Sequence, residues 1–102
     1  MSGPVHRALC IHETDNAAVV LSEVASGDEV IIQGGEKPGH LVACEEIPAG
    51  HKMALTSLKE GQFVIKYGEP IGKATRSIQI GEHIHTHNLV GLRGRMRFQD
   101  GV

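Results

Sequence analysis

Val24-Ala-Ser-Gly27-Asp-Glu-Val30 sets an apolar residue three positions before a glycine and another three positions after it. The same spacing returns as Ile47-Pro-Ala-Gly50-His-Lys-Met53, Leu58-Lys-Glu-Gly61-Gln-Phe-Val64 and Ile78-Gln-Ile-Gly81-Glu-His-Ile84. Glycine reaches φ > 0 without steric cost, so each copy reads as a tight turn whose apolar flanks anchor the chain on both sides. Four copies imply a compact β unit of strand, turn and strand. The Gly-to-Gly spacings of 23, 11 and 20 residues exclude a solenoid of uniform repeats.

Around these turns the Val- and Ile-rich segments 8–12, 17–21, 29–33, 41–45, 52–55, 62–67, 71–75 and 82–86 read as short strands. Segments 22–25 and 56–59 have room for one helical turn each, and nothing reaches the length of an ordinary helix. Residues 34–40, GGEKPGH, are a breaker-rich hairpin loop. The expected fold class is all-β or β-dominated, with function carried by loops.

Composition agrees. The chain has 102 residues, 13 Gly and 4 Pro, with a core of Val, Ile, Leu and Ala and only Phe63, Tyr67 and Phe98 as aromatics. That is one small domain, which excludes a large multidomain enzyme. A net charge of −2 gives no overall electrostatic reason to bind nucleic acid or an anionic membrane. The longest apolar run near the start, Ala8 to Ile11, is too short for a signal peptide or a membrane span. Cys10 and Cys44 have no CxxC spacing and read as inert thiols of a reduced cytosolic protein.

The sharpest chemical signal is Gly81-Glu-His-Ile-His-Thr-His-Asn88. On a strand, His83, His85 and His87 share one face while Ile84 points to the core. Two neighbouring imidazoles suit one metal ion, but a straight strand spreads the outer two too far for all three to meet. A plain polar strand face is the alternative. Gly50-His51-Lys52 opens a strand with a proton-transfer group and a compact cation. Lys66-Tyr67-Gly68-Glu69-Pro70-Ile71-Gly72 sets a cation and a phenol at a turn whose glycines would let backbone N–H groups approach an anion. It lacks the order of a phosphate loop. Leu92-Arg-Gly-Arg-Met-Arg-Phe98 alternates like an edge strand, or forms a disordered terminus.

In this order and spacing, the segments 50–55, 66–72 and 81–88, with the opening Ile11-His-Glu-Thr-Asp-Asn-Ala-Ala-Val19, resemble the SAF domain of the altronate and galactarate dehydratase family. The resemblance covers roughly residues 8–89, leaving 1–7 as an N-terminal tail and 90–102 as an Arg-rich C-terminal tail. It implies a β-clip fold and a cytoplasmic enzyme that removes water from a sugar acid to give a 2-keto-3-deoxy acid. It also implies a divalent metal, iron or manganese, shared with a large catalytic subunit or domain, so the isolated chain is expected to be inactive. Under it, His83 and His85 are the catalytic candidates, His83, His85 and His87 the metal candidates, and His51, Lys52, Lys66, Tyr67 and Asn88 the substrate-binding candidates. The partners expected are the large chain and the sugar acid, with neither nucleic acid nor membrane. No cluster of Asp, Glu or Cys is expected to complete the metal site within this chain. Two alternatives stand beside this reading: the small subunit of sulfolactate sulfo-lyase, which expels sulfite, and a non-catalytic carbohydrate-binding SAF module.

Overall fold

The computed structural model describes residues 5–34 and 39–92. Within them the chain forms nine strands: β1 (Val5–Leu9), β2 (Ala17–Val20), β3 (Glu29–Gln33), β4 (His40–Val42), β5 (Lys52–Ala54), β6 (Phe63–Lys66), β7 (Glu69–Ala74), β8 (His83–Ile84) and β9 (Leu89–Gly91). They make a six-stranded sheet in the order β4-β3-β1-β2-β5-β8 and a three-stranded sheet in the order β6-β7-β9. The all-β expectation holds, as for a β-clip. No helix among the described residues is long and apolar enough to cross a membrane.

The four glycine turns organise this topology. Gly27, Gly50, Gly61 and Gly81 have φ of 90°, 85°, 88° and 88°, and all eight apolar flanks are buried. The turns act in pairs. Val24 and Ile47 exchange backbone hydrogen bonds of 2.9 and 2.8 Å, and Leu58 and Ile78 do the same at 2.8 and 2.9 Å. Burying an aliphatic side chain contributes about 1.5 to 3 kcal/mol, so each paired turn is a small core of its own. The bridges Val24–Ile47 and Leu58–Ile78 also correct the expectation of helical turns at 22–25 and 56–59, because backbone groups there pair across to another turn.

Two cores follow from the two pairs. Val24, Val30, Ile47 and Met53 belong to one cluster, and Leu58, Val64, Ile78 and Ile84 to the other. Strands β2 and β5 lie between them. Ala18 and Met53 face the first core, whereas their neighbours Ala17 and Ala54 face the second. Burial on both faces explains the nearly unbroken apolar runs in these strands.

Several boundaries differ from the sequence reading. Strand β1 begins at Val5, inside the segment read as a tail, and pairs in parallel with β3. Its entry is pinned by His6, whose ring contacts Ser22 Oγ and Asp28 Oδ2, each at 2.8 Å. Strand β9 was not expected, because its three residues carry no alternation; it pairs with β7 across Gly72, where a side chain would collide with the Val90 carbonyl oxygen. Gly72 is therefore a packing glycine and not an anion-binding one. Strand β8 stops at Ile84, well short of Thr86. Residues 93–98 of the expected alternating tail lie outside the described residues.

The glycine turns differ in how crowded they are. A Cβ on Gly61 would meet open space, whereas one on Gly81 would run into the Val42 carbonyl oxygen. Gly61→Ala is expected to cost about 1 to 2 kcal/mol, the price of left-handed backbone alone. Gly81→Ala should cost clearly more, and urea unfolding of the two variants side by side checks the difference.

Candidate functional site

The second turn departs from the other three, and the site begins there. In every turn, the residue after the glycine donates its N–H to the carbonyl three residues back, at 2.9 to 3.0 Å. In three of them its side chain also accepts from the backbone N–H at that position: Asp28 from Ala25 (3.0 Å), Gln62 from Lys59 (3.0 Å) and Glu82 from Gln79 (2.8 Å). The fourth has Pro48 at that place, which carries no N–H. A capping oxygen would have no partner there, so position 51 is released from capping and holds His51.

His51 turns toward β8. Its Nδ1 lies 2.9 Å from His83 Nε2, and its ring stacks on His85 with centroids 4.2 Å apart. His85 reaches this position because the chain turns sharply after Ile84. Asn88, fully buried, makes that turn: its Oδ1 accepts from the His85 N–H (2.9 Å), and its Nδ2 donates to the His83 carbonyl (2.8 Å). The His83 N–H donates to Glu45 Oε2 at 3.0 Å. Ring nitrogens of His51, His83 and His85 all lie within 4.8 Å of one another. A turn has thus achieved what a straight strand could not, by recruiting His51 in place of His87.

His87 stands on the far side of His83, with ring centroids 5.2 Å apart. Its nearest potential co-ligands are Glu45 and Glu82, whose donor atoms lie within 4.8 Å of each other and of the imidazole. Two carboxylates therefore stand beside His87, although the sequence itself displays no cluster of Asp, Glu or Cys. Neither carboxylate was legible as a site residue, since Glu45 lies in a bend and Glu82 reads as a turn cap.

Lys52 is 5% exposed, on β5 between Val19 of β2 and Ile84 of β8. Its ammonium has no hydrogen bond and no ion pair among the described residues. Burial, followed by the charge of Lys66, pushes its pKa down. Lys66 holds its ammonium 4.8 Å from the centre of the exposed Tyr67 ring. Tyr67 has φ of 58° and Gly68 of 76°, the pair of left-handed residues that a tight hairpin turn demands. Asp15, 1% exposed, fastens that turn: Oδ1 accepts from the Gly68 N–H (2.7 Å), while Oδ2 accepts from Ile11 and His12. Burial raises the Asp15 pKa, but these backbone donors outweigh it and the net shift is downward. The Gly68 N–H is therefore committed to Asp15 and does not await an anion.

The structure thus brings His51, Lys52, His83 and His85 together, with Lys66 within electrostatic reach and Tyr67 at the tip beyond it. Asn88 does not join them as a substrate contact, because both ends of its amide are spent on the loop. The imidazoles suit a metal of intermediate softness such as iron or zinc better than a hard cation. His83 and His85 are also biased toward the neutral form that ligation requires. Burial, then His51, His87 and His85, push His83 down to about 4, and burial, His51 and Lys52 push His85 down. Cys44 donates its thiol to the Ile80 carbonyl at 3.0 Å, and burial, with Glu82 and Glu45 beside it, raises its pKa, against a reactive thiolate.

Two outcomes follow for the metal-free chain. Lys52→Met removes an unpaired buried cation and is expected to stabilise the fold by about 1 kcal/mol or more in urea unfolding. His83 has a folded pKa of about 4 against an ordinary 6.5, so between those values the unfolded chain binds the extra proton. Its contribution to stability is complete above 6.5 and is lost as pH falls toward 4. His83→Gln should therefore flatten the fall in melting temperature across that interval.

Comparison with known proteins shows the family of the chain. Residues 6–92 match the altronate/galactarate dehydratase SAF domain. Altronate dehydratase of Bacillus subtilis is 41% identical over 78 residues, which is 76% of this chain but 15% of that protein. The (2R)-sulfolactate sulfo-lyase subunit alpha of Paracoccus pantotrophus is 54% identical over 48 residues, 47% of this chain and 72% of that subunit. Its counterpart in Chromohalobacter salexigens is 35% identical over 83 residues, 78% of this chain and 88% of the subunit. The chain therefore spans about one-seventh of the matched dehydratase and most of the sulfo-lyase subunit. With a match across nearly all its described residues, the chain belongs to the altronate/galactarate dehydratase SAF domain family.

Proposed function

We propose that this chain is the SAF part of a cytoplasmic, metal-dependent lyase that removes water from an aldonic or aldaric acid, giving a 2-keto-3-deoxy acid. It does so together with a large catalytic subunit or domain. The observation that carries this reading is the convergence of three imidazoles beside a buried lysine whose ammonium has no partner among the described residues.

Removing a proton next to a carboxylate needs a base, a cation on the carboxylate oxygens and an acid for the departing hydroxide. His51, His83 and His85 are the residues of this chain that fit a divalent iron ion, and His87 with Glu45 and Glu82 is the oxygen-richer set that would suit manganese. When bound, the metal supplies Lewis acidity at the carboxylate. Lys52 holds an acid oxygen without competing hydration. His85, neutral and next to Lys52, takes or returns a proton whenever its ring nitrogen is free. Lys66 and Tyr67 line the substrate side at the hairpin tip. Asn88 and Glu45 orient the imidazoles by holding the backbone of His83 and His85. The remaining ligands and the remaining wall of the pocket belong to the large partner.

A second reading, a sulfo-lyase part that releases sulfite from sulfolactate, is favoured by the 54% identity to the sulfo-lyase subunit alpha. One experiment serves both. The chain is combined with its large lyase polypeptide and assayed for 2-keto-3-deoxy acid from altronate and galactarate, and for sulfite from sulfolactate. Turnover is expected from the pair and not from this chain alone, and His83→Ala and His85→Ala should each lower it by at least about 100-fold. Unchanged turnover in the double variant would instead make the chain a non-catalytic binding module.

A further inference from the structure

Glu45 lies in the bend after β4 and Glu82 in the fourth glycine turn, where the Cys44 N–H donates to the Gly81 carbonyl at 2.9 Å and holds the two segments together. With His87 they form a set whose ligand atoms all lie within 4.8 Å of one another. Each carboxylate anchors one oxygen on a backbone N–H: Glu45 Oε2 on His83 (3.0 Å) and Glu82 Oε1 on Gln79 (2.8 Å). Such bonds orient a ligating carboxylate while its other oxygen stays available. Two like charges are thus fixed side by side. Among the described residues their only ion pair is a long one, from Arg76, whose side chain is 57% exposed, to Glu82 at 3.4 Å. The charge is felt at Cys44, whose thiol pKa is pushed up by burial and then by Glu82 and Glu45. An octahedral ion with bonds of about 2.2 Å sets its ligand atoms about 3 to 4.5 Å apart, so slight closure of these side chains supplies three corners.

We propose that Glu45, Glu82 and His87 hold a second, hard divalent cation at the same time as His51, His83 and His85 hold a softer one. This rests on the function proposed above, which gives an ion to one set or the other and does not fill both. The donor sets select different ions, since imidazoles suit iron or zinc, and carboxylates with water suit manganese or magnesium. Charge lets them fill together. Three neutral imidazoles leave an ion its full double charge, whereas two carboxylates cancel that of the second ion, which then adds little repulsion to the first. His83 stands between the sets, its ring centroid 5.0 Å from that of His51 and 5.2 Å from that of His87, and Glu45 holds its N–H. An ion that draws Glu45 and Glu82 together therefore fixes the backbone of an imidazole in the other set, and acts as a positioning ion for it.

The test is manganese titration of the full chain, alone and with one equivalent of zinc, with bound manganese counted by electron paramagnetic resonance. One manganese ion per chain is expected in both cases. Glu45→Gln and Glu82→Gln keep an oxygen for the same backbone N–H and should each weaken manganese at least about tenfold, with zinc affinity retained. His51→Ala should do the reverse, weakening zinc and sparing manganese. Thermal unfolding verifies that each variant folds. Absence of manganese binding, its displacement by the single equivalent of zinc, or unchanged manganese affinity in a folded Glu45→Gln or Glu82→Gln chain would each overturn the proposal. The reaction proposed above fails separately: two ions bound without turnover in the assembled lyase leave the second site standing, and turnover with a single bound ion removes that site alone.

Discussion

Everything in this domain depends on the mutual backbone pairing of its glycine turns. A turn with φ > 0 and two buried aliphatic flanks is too small to hold itself together. Val24 with Ile47, and Leu58 with Ile78, solve the problem by exchanging hydrogen bonds across two turns, so that four apolar flanks meet at once. Each pair then seeds one core, and the strands between them, β2 and β5, are buried on both faces. Placing the site at the end of β5 and on β8 means that it sits on the most thoroughly packed strand of the molecule. Packing on both faces of β5 and the Asn88 turn fix the backbone that holds the three imidazoles within hydrogen-bonding and stacking distance.

Fold and site were legible to different degrees, for physical reasons. Turn glycines and their flanks could be read directly, because left-handed backbone and apolar anchoring both leave marks at fixed spacing. Strand β9 left no mark, since three residues that pair through backbone atoms need no pattern. At the site, His83 and His85 could be read from their alternation and Lys52 from its place at the head of a strand. Their partnership with His51 depended on a turn after Ile84 that the alternation disguised. Asn88 reads from sequence as a polar contact near the histidines, yet its amide is occupied in bending the chain. Glu45 and Glu82 were hidden for the opposite reason, because long-range register alone brings residues so far apart in sequence together.

Asp15 shows how a single buried carboxylate can connect distant segments. It ties the loop after β1 to the hairpin tip of β6 and β7, and its several backbone donors outweigh burial and hold its pKa below the ordinary value. The side of the pocket that carries Lys66 and Tyr67 is therefore set by the amino-terminal loop as much as by its own hairpin.

The exchange at the second turn has a meaning for design. Three turns spend the side chain after the glycine on a cap, and the fourth releases it simply by carrying proline three residues earlier. The scaffold tolerates that loss because the paired bridge and the buried flanks remain. A proline at Lys59 would free Gln62 in the same way, opening one further position on the same frame for a side chain with another task.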